Sequence, residues 1–76
     1  MIKEHDRIVL TTDIPADSLR AGDVGTVVHI YSDGNAYEIE FLSLDGHTLA
    51  VTTVEASQVR ATSAREITHA REISAA

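Results

Sequence analysis

The chain has 76 residues with no cysteine and no tryptophan, so it holds one domain with a thin core that no disulfide framework or Cys-based zinc site can staple. Twelve carboxylates against six Lys and Arg give a formal net charge of −6. Lys3, Arg7, Arg20, Arg60, Arg65 and Arg71 are scattered, which argues against the cationic surfaces that nucleic acids and anionic membranes require, while a basic protein partner is electrostatically allowed.

Residues Met1 to Arg7 are mostly polar or charged, without the apolar core of a signal peptide. No apolar run approaches the ~20 residues that span a bilayer. The expected location is the cytoplasm. Residues 7–12 (Arg-Ile-Val-Leu-Thr-Thr) are β-branched and apolar and read as the first strand. A long connection follows from Asp13 to Asp23. Pro15 pushes Ile14 to extended geometry, and Ile14 and Leu19, its large apolar groups, are expected to pin it to the core. Asp13, Asp17 and Asp23 do not follow the alternating-ligand calcium pattern and read as turn and cap residues. Loops on a rigid scaffold are where binding function concentrates, so Asp17, Leu19 and Arg20 are candidate contact residues.

Gly22-Asp23-Val24-Gly25 turns the chain into a second strand, with Gly22 expected at positive φ and Gly25 at a close backbone approach or a bulge. Strand two is read at 26–31 and strand three at 36–42, joined by the four-residue loop Ser32-Asp33-Gly34-Asn35. This register sets Ile30 against Tyr37, His29 against Glu38, Val28 against Ile39 and Thr26 against Phe41. Alternation then predicts a core face of Thr26, Val28, Ile30, Tyr37, Ile39 and Phe41. The outer face collects Val27, His29, Tyr31, Glu38, Glu40 and Leu42, with His29 and Glu38 as a cross-strand ion pair.

A three-residue loop, Leu44-Asp45-Gly46, leads to strand four at 47–53. It places Phe41 against Leu49 and Ile39 against Val51, and burial of each is worth about 1.5–3 kcal/mol, which favours this loop length over four residues. Residues 54–58 read as one turn of 3-10 helix and residues 59–62 as a closing strand beside the first. The tail, 63–76, nearly repeats Ala-Arg-Glu-Ile and carries capping-box spacing at Ser63 and Glu66. It reads as disordered or as a short helix, with ordering on binding as the alternative. The domain proper is 1–62.

The stretch Ala21-Gly22-Asp23-Val24-Gly25-Thr26-Val27-Val28 and the strand Tyr37-Glu38-Ile39-Glu40-Phe41 resemble a bacterial family, domain of unknown function (DUF) 4926, over about residues 1–61. More loosely, the strand order is similar to that of SH3-like barrels such as a small photosystem I protein and KOW-type domains. The resemblance implies an all-β, small five-stranded SH3-like barrel and assigns no activity or functional residue. KOW domains often bind RNA, a reading that the acidity of this chain disfavours.

No pair of the four histidines has helical zinc spacing, and no nucleophile elbow or phosphate loop is present. A barrel this small is filled by its own side chains, so neither an enzyme nor a cofactor is expected. Tyr31, Val27 and Leu42 are expected to form a small outer apolar patch beside His29, which either packs under the long loop or contacts a second protein. The expected role is a non-catalytic interaction module, its partner a neighbouring gene product or a second copy. The alternatives are an acidic inhibitor of a basic enzyme and a KOW-like nucleic-acid binder.

Overall fold

The β-branched runs become strands and the glycine-bearing segments between them become turns. A computed structural model describes residues 1–73. Its strands are β1 (Arg7–Leu10), β2 (Val24–Ile30), β3 (Ala36–Leu42), β4 (Thr48–Glu55) and β5 (Val59–Ala61). They form one antiparallel sheet in the order β4-β3-β2-β1-β5. All five strands contribute to a single core, built chiefly from Ile8, Leu10, Val27, Ile39, Phe41 and Val54. No helix among the described residues is long and apolar enough to cross a membrane.

The turns have the expected chemistry. Gly22, Gly34 and Gly46 lie at φ +96°, +73° and +90°. Ser43 N–H donates to the His47 carbonyl at 2.8 Å, closing the three-residue loop. The expected 3-10 turn falls at Ala56–Gln58, and β5 returns beside β1, where Ile8 faces Ala61. Ile14 and Leu19 exchange backbone hydrogen bonds at 2.9 and 3.1 Å, and Leu19 is buried in the core. The first strand is shorter than expected. Thr11 N–H still donates to the Gln58 carbonyl at 2.8 Å, in line with the β1–β5 register, but Gln58 belongs to the 3-10 turn and the paired strand ends at Leu10.

Two β-bulges correct the expected core. The pairs Ile30–Tyr37 and His29–Glu38 stand as read, but the register shifts between Val27 and His29. Val27, not Val28, therefore faces Ile39, and Thr26 faces Glu40 rather than Phe41. Val27 is 0% exposed and Val28 40%. Val27 thus leaves the outer face to which the alternation assigned it. The second shift lies between Phe41 and Leu42. It inserts Leu49, so that Phe41 faces Ala50 and Ile39 faces Thr52. Leu49 and Val51, expected inside, are 42% and 52% exposed.

The reason is the bulk of Phe41. Its ring sits against Gly25, where an added Cβ would come within 2.9 Å of Cε1, and across from Ala50 on the other side. A leucine in the place of Ala50 would overfill that layer, and overpacking costs about 1–3 kcal/mol. Val54, 1% exposed, supplies the aliphatic volume two pleats further on, across from Tyr37. Exchanging the roles of adjacent valines gives a direct check. Val27→Ala is expected to lower unfolding free energy by about 2 kcal/mol, and Val28→Ala by less than about 0.5 kcal/mol, as measured by urea denaturation. Equal losses at the two positions would contradict the bulge.

Ile8, Val9 and Leu10 are consecutive and all buried. Ile8 and Leu10 enter the core cluster, while Val9 points to the opposite face. There it lines, with Val24, Ile67 and His69, a cleft of about 310 Å³ beneath the tail. Residues 62–73 contain no helix and run as irregular backbone, with Ser63 and Glu66 closing one turn. The remaining tail residues, 74–76, lie outside the described residues.

Candidate interaction surface

The long connection is tied to itself by carboxylates. Asp13 Oδ1 accepts the Ala21 N–H at 2.9 Å, and Asp23 Oδ2 accepts the Arg20 N–H at 2.8 Å. These are the turn duties expected of aspartate. Asp17 ends the 3-10 turn Pro15–Asp17, and Ser18 follows in the left-handed region at φ 60°. Arg20 is exposed, and Leu19 is only 3% exposed. The loop therefore offers Asp17 and Arg20 to a partner but not Leu19.

The tail is clipped to the sheet at two points. Arg60 grips Glu66 with both terminal nitrogens, at 3.0 and 2.6 Å, and Ser63 N–H donates to the same carboxylate at 2.7 Å. Arg71 grips Asp23 through Nε at 2.9 Å and Nη2 at 2.6 Å, and Nη2 also donates to the Ser18 carbonyl at 3.0 Å. The Arg60 guanidinium, with help from the Ser63 N–H, holds the Glu66 carboxyl down to about 2, from an ordinary 4.5. At Asp23, burial pushes the carboxyl up. The hydrogen bonds from Arg71 and the Arg20 N–H outweigh it, and the carboxyl lies below its ordinary value.

Both carboxyls titrate lower when the tail is docked, so docking is favoured at neutral pH and loses that support as pH falls through their bound values. The Glu66 clip is expected to release between pH 4.5 and about 2. In a side-chain ¹³C NMR titration, Arg71→Ala is expected to raise the Asp23 value, because burial then dominates, while leaving Glu66 at about 2. An unmoved Asp23 would show that Arg71 does not hold it.

The outer face of β2, β3 and β4 differs from its expected form. His29 lies across from Glu38, but the Glu38 carboxylate is taken by the Tyr31 hydroxyl at 3.1 Å and the Thr53 hydroxyl at 2.5 Å. His29 instead faces Glu4 at 4.0 Å and meets the Tyr31 ring edge-on, centroids 4.8 Å apart. The expected ion pair with Glu38 is not made. His29 and Tyr31 do come together, but Val27 is in the core, and Leu42 lies at the other end of β3 from Tyr31's neighbour Ala36. The patch of Tyr31, Val27 and Leu42 is not assembled.

A different patch forms at the turn end of the β3–β4 hairpin. Leu42 pairs with Thr48, Val51 pairs with Glu40, and Leu49 bulges between them, all three apolar side chains exposed. Thr48 donates its hydroxyl to Glu40 Oε2 at 2.7 Å, which keeps that carboxylate bound in the plane of the face. Beside this patch runs the free edge of β4, which among the described residues pairs with β3 alone. Its segment 48–54, Thr-Leu-Ala-Val-Thr-Thr-Val, carries no charge, no proline and no lysine. Charge and proline are devices that usually blunt an edge, and the bulge at Leu49 is the one such device this segment carries. Sequence reasoning missed Leu49 and Val51 because both look like core residues; the signal was the alternative inward set Ala50, Thr52 and Val54. Among the described residues no cluster of three metal-ligating side chains occurs.

The model of a domain of unknown function, DUF4926, matches residues 4–61. No curated protein and no solved structure matches the chain.

Proposed function

Because the chain belongs to the DUF4926 family, whose description assigns no function, we propose its role from the surface it presents: a non-catalytic protein–protein interaction module on an SH3-like scaffold, working in the bacterial cytoplasm. The observation that carries this reading is the uncharged, unpaired β4 edge flanked by exposed Leu42, Leu49 and Val51. An extended edge of this kind accepts a partner strand through its backbone, while neighbouring side chains supply selectivity. The SH3-like reading is supported by the five-strand order and by the 3-10 turn between β4 and β5. The cytoplasmic reading is supported by the absence of cysteine.

The test is capture on immobilised full-length chain from native extract, together with co-expression of the neighbouring gene product. The Leu42→Glu/Leu49→Glu variant, altered only at exposed positions, is the control. A protein retained in stoichiometric amount by the wild type and lost by the variant supports the module. Retention of nothing, combined with a monomeric chain, refutes it.

A further inference from the structure

We infer that the β4 edge pairs with the β4 edge of a second copy of this chain, antiparallel about a two-fold axis at Val51. This names the partner of the surface just described and rests on that reading.

The backbone points the right groups outward. In an antiparallel ladder, bonded and non-bonded pairs alternate. Ala56 N–H donates to the Asn35 carbonyl. From there the alternation makes Tyr37–Val54, Ile39–Thr52 and Phe41–Ala50 the bonded pairs. The N–H and C=O groups of Val51, Thr53 and Glu55 are then directed away from β3. Glu55 agrees with this assignment: its outward N–H is capped by Gln58 Oε1 at 2.7 Å. No side chain among the described residues caps Val51 or Thr53 in this way, and both sit in the middle of the uncharged segment. An edge whose end is closed by a side chain and whose middle is left open is shaped for a short, centred pairing.

The sequence of the edge is complementary to itself. With Val51 opposite Val51, Ala50 meets Thr52, Leu49 meets Thr53, and His47 of one copy comes opposite Glu55 of the other. The two exposed apolar side chains of this edge, Leu49 and Val51, are then covered near the axis. No like charges face each other across the seam. The carboxylates that would oppose association lie further back. Glu40 is paired with Val51 across one strand spacing, so two Glu40 carboxylates stand three spacings apart, about 14 Å. That exceeds the screening length of about 8 Å at physiological salt. The net charge of −6 per chain therefore acts weakly at this seam. A closed two-fold pairing also removes the edge from further growth.

The experiment is sedimentation velocity on the full chain, up to roughly 500 µM so that weak dissociation constants are readable. The wild type is expected to approach twice the 8.2 kDa chain mass as concentration rises. Val51→Lys and Val51→Glu, each altered at an exposed position and checked for native circular dichroism, place like charges on the axis. Each alone is expected to weaken the dimer by at least about tenfold. An equimolar mixture of the two is expected to recover association, because only this register sets position 51 against itself. A wild type that stays monomeric overturns the inference, as does Val51→Lys dimerising like the wild type or a mixture that fails to recover. A monomeric wild type that still captures a different protein through Leu42 and Leu49 would overturn the dimer alone and leave the interaction module standing.

Discussion

Ile39→Ala is expected to cost about 2–5 kcal/mol of unfolding free energy, among the larger losses available from a single truncation in this chain. Ile39 is completely buried at the centre of β3, between Val27 on one side and Thr52 on the other. A domain of 76 residues has about 4–11 kcal/mol in total, and small single cores sit near the bottom of such ranges. The variant should therefore be partly unfolded at room temperature, with its urea midpoint shifted down by half or more. Amide exchange would show the loss spread over β2, β3 and β4. A loss under about 1 kcal/mol would mean that the site collapses around the missing methyls and that the core is loosely packed.

Gly25→Ala is the second large effect. It arises from crowding, not from backbone strain. A Cβ at position 25 would run into Ile39 Cγ2 and come within 2.9 Å of Phe41 Cε1. Neither is the free end of a flexible side chain, since Phe41 is 2% exposed and Ile39 fully buried. Overpacking of this kind costs about 1–3 kcal/mol, partly offset by the roughly 0.4–1 kcal/mol that losing a glycine's unfolded-state freedom returns. The two substitutions are coupled. Ile39→Ala removes the atom that the new methyl group at position 25 would strike, so Gly25→Ala/Ile39→Ala should lose less than the sum of the singles. A coupling of at least about 0.5 kcal/mol in a thermal or urea double-mutant cycle is expected. Strict additivity would place the crowding somewhere other than the Gly25–Ile39 contact.

This same contact explains what the sequence did and did not disclose. Turns were legible because their chemistry is local: Asp-Gly at 33–34 and 45–46, and Gly22 before the second strand, each require a backbone that few other residues supply. Strand identity was legible because β-branched residues crowd between those turns. The faces of the strands were not. Val27-Val28 reads equally well with either valine inward, and Leu49-Ala50-Val51-Thr52 reads better with the wrong pair inward if buried area alone decides. What settled both was the fit around Phe41, with glycine on one side and alanine on the other. That is a property of three strands together, and a one-residue slip reverses every side chain beyond it. The candidate surface suffered in turn. Val27 and Leu19 went inside, His29 found Glu4 instead of Glu38, and Leu49 and Val51 emerged where buried area alone would not place them. The tail's course was equally hidden. Arg71 reaches Asp23 from far along the chain, and nothing in the local sequence of either residue announces the other.

The pairing of β1 with β5 has a consequence for how the molecule assembles. Strands β2, β3 and β4 are joined by tight turns and need only local ordering, whereas Ile8 must meet Ala61 from nearly opposite ends of the domain. Closing so long a span is entropically unfavourable until something already formed rewards it. The central meander is therefore the natural scaffold on which the two ends zip together last. A covalent link across that final seam, where the Arg7 carbonyl accepts the Thr62 N–H, would turn its slowest step into a short hop and quicken folding without touching the core.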